Sequence, residues 1–105
     1  MISTHILDTT KGHPAQNVPV LLEKKDGGSW KELSKSSTNA DGRIIFDCEK
    51  AAGDYRLTFF IEDYFKGEEH FFLNTTIPFR IKDTNRKYHV PLLLNPYGHS
   101  TYRGS

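Results

Sequence analysis

Three polar side chains lie in apolar, strand-like surroundings where they have chemistry to offer. His5 lies in Ser3-Thr4-His5-Ile6-Leu7-Asp8, and His89 in Tyr88-His89-Val90-Pro91-Leu92-Leu93-Leu94. Arg43 directly follows the turn Asn39-Ala40-Asp41-Gly42. An imidazole takes and returns protons near neutral pH. A guanidinium presents a planar fork of donors to a carbonyl or a developing oxyanion. Taken singly, each has a plainer reading: a surface or hydrogen-bonded imidazole for His5, a satisfied core histidine for His89, a solvated strand end for Arg43. His13, His70 and His99 lie in turn-like stretches, and no two histidines have the spacing of a metal-binding pair. Asn39 to Gly42 has an acidic, calcium-like look but lacks the remaining ligands, so it reads as a turn. No segment matches a phosphate loop, a paired-histidine zinc helix, an EF-hand or a nucleophile elbow. The segment Tyr97 to Ser105 is unusual in another way. It carries two tyrosines and β-tolerant residues to its last positions, where polar glycine-containing tails are normally disordered. This predicts an ordered strand running to Ser105.

The elements that must hold these residues are short apolar runs broken by turn chemistry, the rhythm of an all-β sandwich. Ser3 to Asp8 alternates as a first strand. Val18, Val20 and Leu22 share one face of a second, in which Pro19 suggests an edge or a bulge. Asp26-Gly27-Gly28 signals a hairpin into a polar edge strand, Trp30 to Lys35. Arg43 to Asp47 follows the Asn39 turn. Tyr55, Leu57 and Phe59 face one way along the next strand. Glu62 to Lys66 is expected to form one helical turn, stopped by Gly67. Thr76 to Lys82, Lys87 to Leu94 and the final segment complete about eight strands, enough for two packed antiparallel sheets with one short helix.

Composition narrows the partners. The 105 residues carry 14 basic and 13 acidic side chains, a net charge of +1, without the basic excess typical of binding to nucleic acid or an anionic membrane. No apolar run approaches the ~20 residues of a membrane span. Cys48 is the only cysteine, which excludes an intrachain disulfide framework or a cysteine-based zinc cluster within one chain. The first residues have neither the basic nor the apolar region of a secretion signal, and a cytoplasmic location is expected. Residues 1–105 are expected to form a single domain.

Several of these stretches together resemble the transthyretin-like 5-hydroxyisourate hydrolases. They are Ser3 to Asp8, Gly12-His13-Pro14-Ala15, Thr38 to Arg43, Tyr88 to Leu94 and Ser100-Thr101-Tyr102-Arg103-Gly104-Ser105. The closing Tyr-Arg-Gly-Ser is the most specific, because it separates these hydrolases from the hormone-carrying transthyretins of the same fold. The resemblance implies a two-sheet, eight-stranded β-sandwich and a homotetramer with sites at the dimer–dimer interface. It also implies hydrolytic opening of 5-hydroxyisourate, the product of urate oxidation, with no obligatory cofactor and no metal. Carried over, the family's catalytic positions fall on His5, Arg43, His89 and Ser105. Its substrate contacts fall on His5, Arg43, Tyr102, Arg103 and Gly104. Two places depart from the family's usual residues: Lys87, where histidine is common, and Phe71-Phe72-Leu73, where Phe-Phe-Pro is common. The alternative is a carrier of small hormone-like molecules without catalysis, since fold does not fix function.

Overall fold

The computed structural model describes residues 1–48 and 51–104. Two sheets pack face to face. One contains β1 (Ile2–Asp8), β2 (His13–Pro14), β5 (Arg43–Phe46), β8 (Tyr88–Asn95) and β9 (Gly98–Thr101), in the path β2-β1-β8-β9 with β5 also on β1. The other runs β4 (Ser29–Ser37), β3 (Pro19–Asp26), β6 (Gly53–Phe59), β7 (Thr75–Ile81). The expected β-sandwich is therefore present, with the two-residue β2 added to the expected strands. One pairing differs from the antiparallel expectation. β1 and β8 run parallel, in unbroken register from Ile2↔Tyr88 to Asp8↔Leu94. Parallel strands require a long crossover, here everything from β2 to β7, including the whole second sheet and α1 (Ile61–Tyr64).

The alternation of each strand sets what is inside. Ile2, Ile6, Ile44, Phe46, Val90, Leu92 and Leu94 face Val20, Leu22, Tyr55, Leu57 and Phe59 across the sandwich, and Ile61 and Phe65 close one end. Rings such as Tyr55, Phe46, Phe59 and Phe65 supply the volume that a chain lean in aliphatics needs. The helical turn comes slightly earlier than expected, at Ile61–Tyr64, with the Phe65 N–H donating to Ile61 O.

The prolines mark where pairing ends. Pro19 is the first residue of β3, an inner strand, so it is neither an edge strand nor a bulge; the bulge falls at Leu22/Glu23 against β4. A missing N–H costs little at a strand's first residue. Pro78 is tolerated because β7 is an edge strand. Pro91 shapes the end of the chain. β9 stops at Thr101 rather than running on as expected, but its register reappears at a single bridge, His89↔Gly104. That register puts Tyr102 opposite Pro91, which has no N–H to give its partner. The Pro91 carbonyl instead accepts from Thr101 Oγ1 at 2.6 Å. The expected terminus of the last strand, Ser105, lies outside the described residues.

Candidate active site

β1 organises the site. Its pleat turns Thr4, Ile6 and Asp8 into the sandwich and leaves Ser3, His5 and Leu7 on the outer face. The same alternation puts His89 and Leu93 outward on β8, and Arg43 and Ile45 outward on β5. Register then brings them together. His5 stands opposite Arg43 across the antiparallel β1–β5 pair, and Ser3 stands opposite His89 across the parallel β1–β8 pair. Thr4, between them on the inner face, ties the two strands with a 2.6 Å bond from its Oγ1 to Val90 O.

Arg43 owes its place to the turn before it. Asn39 Oδ1 accepts from the Asp41 and Arg43 N–H groups at 2.9 and 3.0 Å, and Gly42 N donates to Asn39 O. Gly42 has φ 72°, and a Cβ there would stand 2.5 Å from Ile6 O. This close approach lets Ile6 N donate to Gly42 O at 2.8 Å, pinning the turn on β1. The amide oxygen of Asn39 is thus committed to the turn, in agreement with the sequence reading of this segment.

Burial pushes the pKa of His5 below its ordinary value and the Arg43 charge adds to this, while a hydrogen bond and the charge of Asp41 oppose it. His89 is lowered by burial first, then by Arg43 and His5, against a hydrogen bond to the Ser3 backbone. Both imidazoles are therefore neutral at pH 7, the form that accepts a proton. His89 Nδ1 lies 2.8 Å from Ser3 Oγ. On its other side Gly104 N donates to His89 O at 2.8 Å, so close that a Cβ on Gly104 would sit 2.6 Å from His89 Cδ2.

His89 borders two hollows. A groove of about 250 Å³ on the outer face is shared with Ser3, Arg43, Ile45 and Lys87. A cavity of about 350 Å³ at the open edge of the sandwich is lined by Tyr102 and Arg103 together with Ile77 and Phe79. Of the residues singled out from sequence, Arg43 and His89 thus share the groove, His5 adjoins Arg43 across the strands, and Gly104 packs on His89. Tyr102 and Arg103 are exposed, on the far side of His89. Ser105 lies outside the described residues. Among the described residues, no group of three His, Cys, Asp or Glu side chains converges in a way that would hold a metal ion.

The HIUase/Transthyretin family profile matches residues 2–104. The chain belongs to this family. Among curated proteins it is 47% identical over 110 residues to the 5-hydroxyisourate hydrolase of Salmonella dublin, covering 100% of this chain and 81% of that protein. Among solved structures it is similar to Klebsiella pneumoniae 5-hydroxyisourate hydrolase at 41% identity and a TM-score of 0.86, over 99% and 98% of the two chains. It is also similar to sea bream transthyretin in complex with thyroxine, at 29% identity and a TM-score of 0.91, over 98% and 93%. The family thus spans proteins named as hydrolases and a transthyretin in complex with thyroxine. The polar cluster on the outer face is the part of this member that bears on the choice between them.

Sequence reasoning passed over two groups in that cluster. Ser3 lies two residues before His5, and strand alternation alone puts both on one face. Lys87 was noted as a departure from the family's usual histidine, yet as the residue two before His89 it had the same claim to the groove. The partner of Ser3 was hidden, because the β1–β8 pairing joins residues more than eighty positions apart.

Proposed function

We propose that this chain, as one domain over residues 1–105, hydrolyses 5-hydroxyisourate to 2-oxo-4-hydroxy-4-carboxy-5-ureidoimidazoline. The observation that carries the reading is the convergence of two neutral histidines and a guanidinium on the outer face of β1, β5 and β8. Ring opening needs water to add to a carbonyl carbon and a ring C–N bond to break, leaving a carboxylate and an N–H. His5 and His89 take the proton from water and return one to the departing nitrogen. Arg43 orients the ring carbonyls and stabilises the oxygen that becomes negative. Tyr102, Arg103 and Gly104, which approach His89 from its other side, are read as substrate contacts, and Ser105 as a further catalytic group. The names of the relatives support the substrate. A hormone carrier would have little use for three such groups on one sheet face.

The working assembly in this reading is a homotetramer, with each site completed between copies. Within one chain the polar cluster lies on an open face, flanked by apolar surface such as Ile45, 68% exposed. Apolar surface of this kind beside a polar site is what a neighbouring subunit covers. The free thiol of Cys48 fits a reducing cytoplasm as the place of the reaction.

The test is the ultraviolet decay of freshly made 5-hydroxyisourate, with light scattering to count subunits. Decay well above the spontaneous rate by a tetramer is expected. Decay at the spontaneous rate, with thyroxine-like ligands bound instead, would favour the carrier.

A further inference from the structure

We infer that Ser3 is a positioning residue for His89, holding the ring by Nδ1 so that Nε2 is the nitrogen turned to water and substrate. The inference rests on the hydrolase reading for its meaning but on separate observations for its content. Ser3 and His89 are register partners across β1 and β8, their side chains meet at 2.8 Å between Oγ and Nδ1, and both line the groove that holds Arg43. An imidazole has two nitrogens, and the one engaged by a neighbour determines what the other does. Here Nδ1 is engaged by Ser3, which leaves Nε2 for chemistry. Gly104 packs against Cδ2 from the opposite side, so the ring is held between β1 and the chain's last segment.

A hydroxyl suits this place better than a carboxylate. It accepts from a protonated Nδ1 and donates to a bare one, so it holds the ring through both halves of a proton-transfer cycle. It is also neutral and does not stabilise the imidazolium as an aspartate would. Among the described residues, the charged and titratable groups around His89 are Arg43 on β5, His5 and Met1 on the β1 side, Lys87 and Tyr88 on its own strand side, Arg80 on β7, and Tyr102 and Arg103 after β9. None of these groups is a carboxylate, and it is burial and the charge of Arg43 that favour the neutral ring.

The experiment uses the full chain with two substitutions. Ser3→Ala removes the hydroxyl contact and leaves the backbone one. Ser3→Thr keeps a hydroxyl on a residue well suited to a strand. Expected are a kcat loss of roughly tenfold to a hundredfold in Ser3→Ala with KM nearly unchanged, and recovery of most of it in Ser3→Thr. The substrate-free readout is the nitrogen-15 shift of the His89 ring. The Nδ1 shift should be the same in the parent and in Ser3→Thr, and should move in Ser3→Ala, where the hydroxyl partner is lost. An unchanged ring spectrum and kcat in Ser3→Ala would overturn the inference. If the parent protein failed to hydrolyse 5-hydroxyisourate, the ring spectra would still decide the Ser3–His89 relation by themselves.

Discussion

His5 and Arg43 face each other as direct partners across the β1–β5 ladder, so a proton acceptor and a fixed cation occupy adjacent places on one sheet face. Cross-strand neighbours of this kind have Cβ atoms within ~5.5 Å, and the cation weighs on both imidazoles. It lowers His5 after the larger effect of burial, and it does the same to His89. The form that works as a base is the neutral one. Activity should therefore rise with pH through an acid limb that lies below the ordinary histidine value of ~6.5, and be level at neutral pH.

Arg43→Ala tests both roles of the guanidinium. Loss of an oriented oxyanion donor is expected to lower kcat/KM by roughly a hundredfold to a thousandfold. Loss of its charge should also move the acid limb upward, towards pH 6.5. Arg43→Lys should keep the limb low while recovering little of the rate, because an ammonium lacks the fork. A pH–rate profile of both variants separates these effects. An unmoved limb in Arg43→Ala would refute the electrostatic coupling.

His5→Ala and His89→Ala should each lower turnover by roughly a hundredfold or more while leaving the fold intact, since neither ring lies in the core between the sheets. Circular dichroism and light scattering on the same samples check the second half of that statement. Full turnover in either variant would remove that histidine from the reaction.

The strand pattern was legible because period-2 alternation and glycine turns are local signals. Tyr55, Leu57 and Phe59 fall on the buried face as their spacing required. The segment beginning at Arg43 was readable from the turn before it. The parallel β1–β8 register was not, because no local feature of Ser3 or His89 states which strand it will join. The fate of the tail depends instead on the register of the β8–β9 hairpin. Pro91 interrupts the last strand only because the register places Tyr102 opposite it.

Gly42 and Gly104 make opposite predictions about stability and activity. Gly42→Ala forces an unfavourable φ of 72° and a Cβ against the Ile6 carbonyl at 2.5 Å. It should cost about 1–3 kcal/mol of stability and displace Arg43 as well. Gly104→Ala instead presses on His89 Cδ2 at 2.6 Å, outside the core. It should lower kcat strongly with little change in unfolding. Urea denaturation alongside kinetics distinguishes them, and equal destabilisation of the two would contradict the assignment.

Asp8 lies at the other end of β1, 1% exposed, and gives the fold its own pH dependence. Burial raises its pKa, but a bond from Tyr64 Oη at 2.7 Å, bonds from the Lys11 and Thr10 N–H groups, and the Lys11 charge outweigh that and hold it below the usual value. A carboxyl with a folded pKa below its unfolded ~3.9 contributes stability that is complete above that value and is lost as pH falls through the folded one. Tyr64→Phe removes the hydroxyl that joins α1 to β1. It should destabilise the protein at pH 7 by about 1–3 kcal/mol, and the gap from the parent should narrow as pH is lowered to 3, below the unfolded ~3.9, as the carboxyl gains its proton. Turnover at neutral pH should stay within about twofold, because Asp8 faces into the sandwich and away from His5. Urea unfolding at the two pH values is the check. A gap of equal size at both would mean that Tyr64 acts through packing rather than through the Asp8 charge.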